Sequence, residues 1–409
     1  MIKKGFKRNS IMVRLLFSML AVLLIQTFLI AGNIWYGGTI EELNNNSVDL
    51  LEKRVFSRKN YLQNEMIQRW SNLSKFEHDI QTAMDSYLEE KEITLSTLKQ
   101  EPHLAFEFLE RTVDHTIFVL RQRMVTGAFI VLTGENGKEH PGVYIRDLDP
   151  LFNPADNSDL SMEIGPSAVA RKADISLGMG WSPRFTLSQE DDSAAFYYKP
   201  FLAAQENWSN DISDLGYWSR PFMLSEYGFE AITYSVPLLD IEGNPYGVIG
   251  IDLTLDYLRK MLYYDEIADN KQGAYLLAIS HEDDMVFENV ISSGPMFNKY
   301  FGDSTKTVLD GNIKYENIYK IKQGKNNMDT VYGCVHYLDL YNSSTPFEKD
   351  RWALIGIVEE PILFRPARQI MLYVVISLFL SFIAGMVGVV LAGMWFVKPI
   401  TKLVGNLRS

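Results

Sequence analysis

Between Tyr197 and Asp252 the chain gathers side chains suited to holding a small molecule. Tyr197, Tyr198, Tyr217, Trp218, Phe222 and Tyr234 carry rings whose faces attract a cation. Asp252 is a carboxylate in the apolar run GVIGIDL. On a half-buried strand it needs a cationic or hydrogen-bonding partner, because an unpaired buried charge is costly. A ligand ammonium would serve, and so would Arg146 or Arg220. Tyr144 and Arg146 alternate with Ile145 and so share one face of a strand, where Arg146 can meet a carboxylate. Two plainer readings stand beside these. Asp252 can cap a helix that starts at Thr254, and the aromatics can simply pack a sheet core.

No residue pattern points to catalysis. The sequence has no G-x-S-x-G, no HExxH and no cysteine–histidine pairing, and its six histidines lack metal-ligand spacing. A single cysteine, Cys334, excludes a disulfide framework and a cysteine-based zinc site, and reads as a small core residue. Glu190, Asp191 and Asp192, flanked by Gln189 and Ser193, read as a solvated loop. No cofactor or metal is implied. A ligand-sensing receptor is the expected class; an exterior enzyme and a structural or partner-binding ectodomain are the competing ones.

The elements that must position these residues follow from periodicity. GAFIVLTG from Gly127 reads as an apolar strand, ENGKEHP as a turn and GVYIRDL as an alternating strand. AITYSVPL, the turn DIEGN and PYGVIGIDL read as a hairpin, and Leu255 to Tyr263 as a short helix. Beyond a polar gap from Asp265 to Gly273 come AYLLAIS, DMVFE, YENIYKIK, TVYGCVHYL and RWALIGIV, mostly antiparallel candidates. Ahead of the strands, Met66, Trp70, Leu73, Ile80, Met84 and Tyr87 recur at helical spacing. With no proline before Pro102, one unbroken helix is expected from about Thr39 to Leu98, on the order of 90 Å long. Pro102 ends it, and Leu104, Phe108, Leu109, Val113, Ile117 and Leu120 mark a second helix. The expected fold is α+β: a long N-terminal helix and two sheet units with helices packed on one face.

The 409 residues suggest two or three domains. A 47% hydrophobic and 12% aromatic content excludes disorder, and the net charge of −12 argues against nucleic acid. Leu15 to Tyr36 and Ile370 to Val397 carry no charge and are long enough to span a bilayer, which takes about 20 residues. Trp35, Tyr36, Tyr373 and Trp395 lie at interfacial depth. Residues 1–14 carry +5 and residues 398–409 carry +3, leaving −20 for the remainder. Positive residues stay inside, so both termini are expected in the cytoplasm and residues 37–368 outside the plasma membrane. Ala384, Gly388 and Ala392 fall on one helical face, at the spacing of a lipid-embedded packing seam.

Trp218 to Leu258, "WSRPF…ITYSVPLLDIEGNPYGVIGIDLTLDYL", resembles the double Cache, or tandem PAS-like, sensor domain of bacterial transmembrane receptors. Trp218, Pro221, Phe222, Ser235, Pro237, Gly243, Gly247, Val248, Gly250 and Asp252 carry the likeness. The tail "VKPITKL" resembles the first helix of a HAMP linker. The resemblance implies a layout of cytoplasmic tip 1–14, first span 15–36, exterior sensor 37–368, second span 369–397 and signalling helix from 398. Within the exterior lie the long helix 39–98, a membrane-distal unit 103–263 and a membrane-proximal unit 273–360.

The resemblance further implies a pocket in the distal unit, walled by aromatics and closed by Asp252. The ligand would be an amine, an amino-acid-like molecule or a carboxylate metabolite. An output module of diguanylate cyclase, histidine kinase or chemotaxis type is expected beyond Ser409, and a homodimer in contact with membrane lipid. Amino-acid-binding members carry an R-x-W-Y element, where this chain has Ala195 in place of the arginine, and Leu224 replaces a further Asp. A standard amino-acid clamp is therefore not expected.

Overall fold

The computed structural model describes residues 11–151, 156–206, 208–209, 211–268, 272–281, 285–302, 304–322, 330–392 and 395. The basic tip before residue 11 and the HAMP-like stretch 398–409 lie outside the described residues. The chain divides into two compact units, residues 1–51 with 360–409 and residues 52–359.

The first compact unit contains α1 (Ile11–Tyr36) and, beyond the sheets, α10 (Glu360–Leu363) and α11 (Arg365–Ala392). α1 and α11 are both long and apolar enough to cross a membrane. Two of their hydroxyls are satisfied within the helix, as lipid requires: Thr27 donates to the Leu23 carbonyl at 2.8 Å and Ser377 to that of Val374 at 2.8 Å. The two helices meet at Gly385, which lies against Leu23, while Gly388 has no neighbour within 4 Å. The face of Ala384 and Gly388 is therefore not the one that packs on α1.

α2 (Thr39–Asn64) begins the helical run, which breaks where the sequence expected continuity. A π-helical turn spans Glu65–Trp70, the chain leaves helical geometry at 71–73, and α3 (Ser74–Lys91) resumes. The Ser71 N–H bonds the Met66 carbonyl, five residues back, and the Ser71 hydroxyl takes that of Ile67. No proline is needed to widen a helix this way. The apolar stripe survives the break, because Met66, Trp70, Leu73, Phe76, Ile80, Met84 and Tyr87 are all buried. α3 ends at Glu92, whose φ of 54° lies in the left-handed region, and α4 (Leu95–Gln100) follows. Pro102 starts α5 (Pro102–Arg123), where its fixed φ and missing N–H fit the first turn.

The first sheet is built from β1 (Gly127–Leu132), β2 (Glu139–His140), β3 (Gly142–Asp147), β4 (Leu160–Ile164), α6 (Ser167–Ala173), β5 (Ser176–Ser182), β6 (Phe185–Thr186), α7 (Ala195–Gln205), β7 (Tyr217–Trp218), β8 (Ala231–Leu239), β9 (Pro245–Thr254) and α8 (Leu255–Met261). Seven strands run in the order β5-β4-β3-β1-β9-β8-β7, with β2 and β6 paired separately. The main sheet is antiparallel except for the parallel pair β4–β5. The expected hairpin is β8–β9. Its turn holds Gly243 at a φ of +84°, and the Asp240 carboxylate accepts from the N–H groups of Glu242 and Asn244.

The second sheet comprises β10 (Gly273–His281), β11 (Val286–Ser293), α9 (Pro295–Tyr300), β12 (Lys306–Tyr315), β13 (Ile318–Ile321), β14 (Val331–Tyr337) and β15 (Asp350–Glu359). It closes into a barrel when β15 pairs with β10. YENIYKIK, expected as one strand, contains the β12–β13 turn, with Asn317 at a φ of 58°. Leu276, Ala278, Phe287, Ile355 and Ile357 belong to the buried apolar core of this barrel. On β15, Gly356 lets α2 approach closely, since a Cβ there would collide with Val55. Gly356→Ala is therefore expected to destabilise the protein by about 1–3 kcal/mol, the usual range for overpacking. Urea unfolding of the purified chain measures it.

Candidate functional site

Asp252 sits at the point where β1, β3 and β9 lie side by side. Gly127 on β1 is opposite Arg146 on β3 and opposite Asp252 on β9, and directly opposed residues share a face. Gly127 is what makes room, because a Cβ there would strike the Asp252 carboxylate and the Tyr144 ring. The carboxylate passes over the glycine and accepts from the Tyr144 hydroxyl at 2.5 Å and from the Thr126 hydroxyl. Asp252 is 0% exposed. Burial pushes its pKa up, against the pull of Arg146 and of the two hydroxyls. Burial, with the charge of Asp252, likewise raises the Tyr144 phenol. The helix-cap reading of Asp252 fails: the Thr254 hydroxyl accepts from the Tyr257 N–H at 3.3 Å and caps α8 itself.

Arg146 is 4% exposed, yet its guanidinium makes no hydrogen bond or ion pair among the described residues, and its Nε is enclosed without a partner. It lies over the Phe229 ring at 4.5 Å. Nearby Glu163 is also buried and accepts from Ser161 at 3.0 Å. Glycine at 178 is needed there, since a Cβ would meet the Glu163 carboxylate. Beside Arg146 opens a cavity of about 560 Å³, lined among others by Thr126, Asp147, Phe229, Lys260 and Gly294. Asp252 thus stands one hydroxyl, that of Thr126, behind the cavity wall.

The other candidates are spread along the sheet and over both its faces. Tyr234 is opposite Ile251 and Trp218 opposite Tyr234, whereas Asp252 is opposite Thr233; the two rings, 5.0 Å apart, lie on the other face of the sheet. Tyr197 shares a hydrogen bond with Thr133 at 3.1 Å, six residues along β1 from Gly127, or about 20 Å. The Tyr198 hydroxyl donates to the Gly137 carbonyl at the same end, and Phe222 stacks on Phe196 at 5.3 Å. Tyr197, Tyr198 and Phe222 nonetheless pack in one apolar cluster with Phe129 and with Tyr144, the hydroxyl partner of Asp252, so only Trp218 and Tyr234 are turned away from its face.

Several of these residues instead join the first sheet to the second. The Trp218 N–H donates to the Tyr341 hydroxyl at 2.9 Å, and Tyr217 packs on Phe347 at 5.0 Å. Arg220 pairs with Glu288 at 3.3 Å and Lys199 with Asp350 at 3.6 Å. Asp214 accepts from Asn342 and Ser344. Sequence reasoning missed Thr126, Gly127, Glu163 and Phe229. The one signal for Glu163 was a carboxylate inside the short apolar strand LSMEI.

Asp147, next to Arg146, has its carboxyl pushed up to about 6 by burial, with Asp159 and Asp149 adding to the rise and the Asp149 N–H opposing it. A carboxyl whose folded pKa is raised binds its proton more tightly in the folded state. Its stabilising contribution is complete below the ordinary value of 3.8 and is lost as pH rises through about 6. Asp147→Asn should therefore stabilise the chain at pH 7.5, with the advantage shrinking as pH falls to about 5. Urea midpoints of both proteins across that range measure it.

Residues 188–260, from the loop before α7 through α8, match the family described as methyl-accepting chemotaxis protein-like, first PDC sensor domain. No curated protein matches the chain. Among solved structures, the periplasmic sensory domain of the Campylobacter jejuni chemoreceptor Tlp1 is similar at 12% identity and a TM-score of 0.42, over 79% of this chain and 99% of that one. The ligand-binding domain of the Pseudomonas fluorescens chemoreceptor CtaA, solved with L-leucine, is similar at 12% identity and a TM-score of 0.39, over 79% and 97%. At such scores these likenesses carry no argument about a pocket. The family match falls within the stretch that resembles a Cache sensor, on the part of the first sheet unit from α7 through β9 to α8.

Proposed function

We propose that this chain is the sensing half of a membrane receptor and binds a small molecule on the Asp252 face of its PDC unit. The observation that supports it best is a wholly buried carboxylate, held by two neutral hydroxyls, directly behind the wall of a 560 Å³ cavity. Pockets of roughly 300–1,000 Å³ suit small ligands. In this reading Asp252 fixes Thr126 and Tyr144 and sets the local field, and the receptor itself is not an enzyme. β15 runs directly into α10 and α11, so a change in the second sheet has a covalent path to the second span. The ligand acts by binding one arrangement of the sheets better than the other, with a coupling of about 1–3 kcal/mol. The second span passes the change to a cytoplasmic output of cyclase, kinase or chemotaxis type, and the receptor works as a homodimer.

A thermal-shift screen of the full chain in lipid nanodiscs identifies the ligand, since a molecule bound only by the folded state raises the melting point. Asp252→Asn is then expected to weaken that ligand about ten-fold, or 1.4 kcal/mol, while the chain stays folded. Calorimetry gives the affinity and circular dichroism the fold; unchanged affinity would return Asp252 to a purely structural role.

The orientation proposed puts residues 37–368 outside and both termini in the cytoplasm, from the positive charge at each end. With Cys334 replaced by alanine, a membrane-impermeant thiol reagent on intact cells should label a cysteine at Asn45 and spare one at Asn406. The reverse pattern would rule the orientation out.

A further inference from the structure

Arg146 is a buried cation whose donors are not used by the protein. Buried charges are ordinarily paired and hydrogen-bonded, because removing them from water is costly. The nearby carboxylate of Asp252 feels the charge of Arg146 but makes no hydrogen bond or ion pair with it, and accepts instead from Tyr144 and Thr126. Arg146 comes within 4.0 Å of no carboxylate oxygen among the described residues, and both it and the Phe229 ring it lies over line the cavity.

That cavity lies between the two sheets. Thr126, Arg146 and Phe229 come from the first, and Ser293 and Gly294 from β11 and the turn after it. Its wall carries three cations, Arg146, Arg259 and Lys260, against two acids, Asp147 and Asp256. Arg259 is engaged with Asp256 and with the Ser292 carbonyl. Lys260, exposed at the rim, makes no hydrogen bond or ion pair among the described residues. With Arg259 paired to Asp256, the wall keeps two cations without an ion pair, Arg146 and Lys260, against the carboxyl of Asp147, and Asp252 behind the wall acts on Arg146 only through space. A planar guanidinium presents paired donors that match a carboxylate or a phosphate, which a point charge does not.

We infer that the cavity between the two sheets takes a small molecule bearing a carboxylate or phosphate group, with that group on Arg146 and Lys260 steering it from the rim. This deepens the sensor reading, on which it rests, by naming the ligand class. It also gives the ligand a place to act. A molecule seated on Arg146 and touching β11 contacts both sheets, so it binds best the arrangement in which they close on it.

The test uses the full chain in lipid nanodiscs at constant ionic strength, with three probes: succinate, inorganic phosphate and 1,4-diaminobutane. Succinate or phosphate should raise the melting temperature in a saturable way, and the diamine should not. Which of the two anions acts identifies the group. Arg146→Met, close in length and uncharged, should lower the anion affinity about ten-fold or more. Lys260→Ala, at an exposed position that does not threaten folding, should lower it about three-fold, mainly through the association rate. Equal anion affinity in wild type and both variants overturns the inference. So does a wild type that answers neither anion. A wild type stabilised by the diamine alone removes the anionic class while leaving the sensor reading in place.

Discussion

The first sheet depends on a carboxylate that has been taken out of water without an ion pair. Asp252 is stabilised by two hydroxyls, from Tyr144 across β1 and from Thr126 at its end, and it reaches them only because residue 127 has no side chain. The arrangement fixes the register of three central strands at one point. A shift of one residue would put the carboxylate among the apolar side chains of the other face. It also leaves Arg146 close enough to stabilise the charge of Asp252 and yet free of direct bonds to it. The Asp252 cluster is thus hydrogen-bonded internally on its acidic side, while Arg146 makes no direct bond to it.

The second structural theme is the attachment of the two sheets to one another. Edge strand β7 would present unpaired backbone groups. Its Trp218 N–H is instead bonded by Tyr341, from the loop between β14 and β15. Phe347 and Asn342 from the same loop add a ring contact to Tyr217 and a hydrogen bond to Asp214. Residues that resemble a ligand wall in sequence are therefore also the joint between the sheets. The joint and the Arg146 cavity lie at different places along the same boundary.

Much of this was legible from residue order. The β8–β9 hairpin, the apolar face of α5 and the two uncharged spans each follow from a local period, and local periods do not depend on the rest of the chain. Asp252 and the Tyr144–Arg146 pair stood out because charged or polar groups interrupt apolar strands there. Other features left no local trace. The break after Trp70 arises from one widened turn with no proline or glycine to announce it. The barrel closes by pairing β10 with β15, about eighty residues later, and no short-range pattern records that.

The sequence by itself determined the class of elements, the apolar faces, the two membrane-length helices and the likeness to a sensor domain, because each is written in composition and spacing. Only the tertiary structure decided which side chains meet. Trp218 and Tyr234 fall on the face away from Asp252 because strand pairing sets parity, and parity depends on the partner strand. Arg146 could be seen as a candidate, but that it is buried with its donors unused is a property of what surrounds it. That property depends on Thr126 and Gly127 at the start of β1 and Tyr144 on β3, brought beside Asp252 of β9 by the sheet.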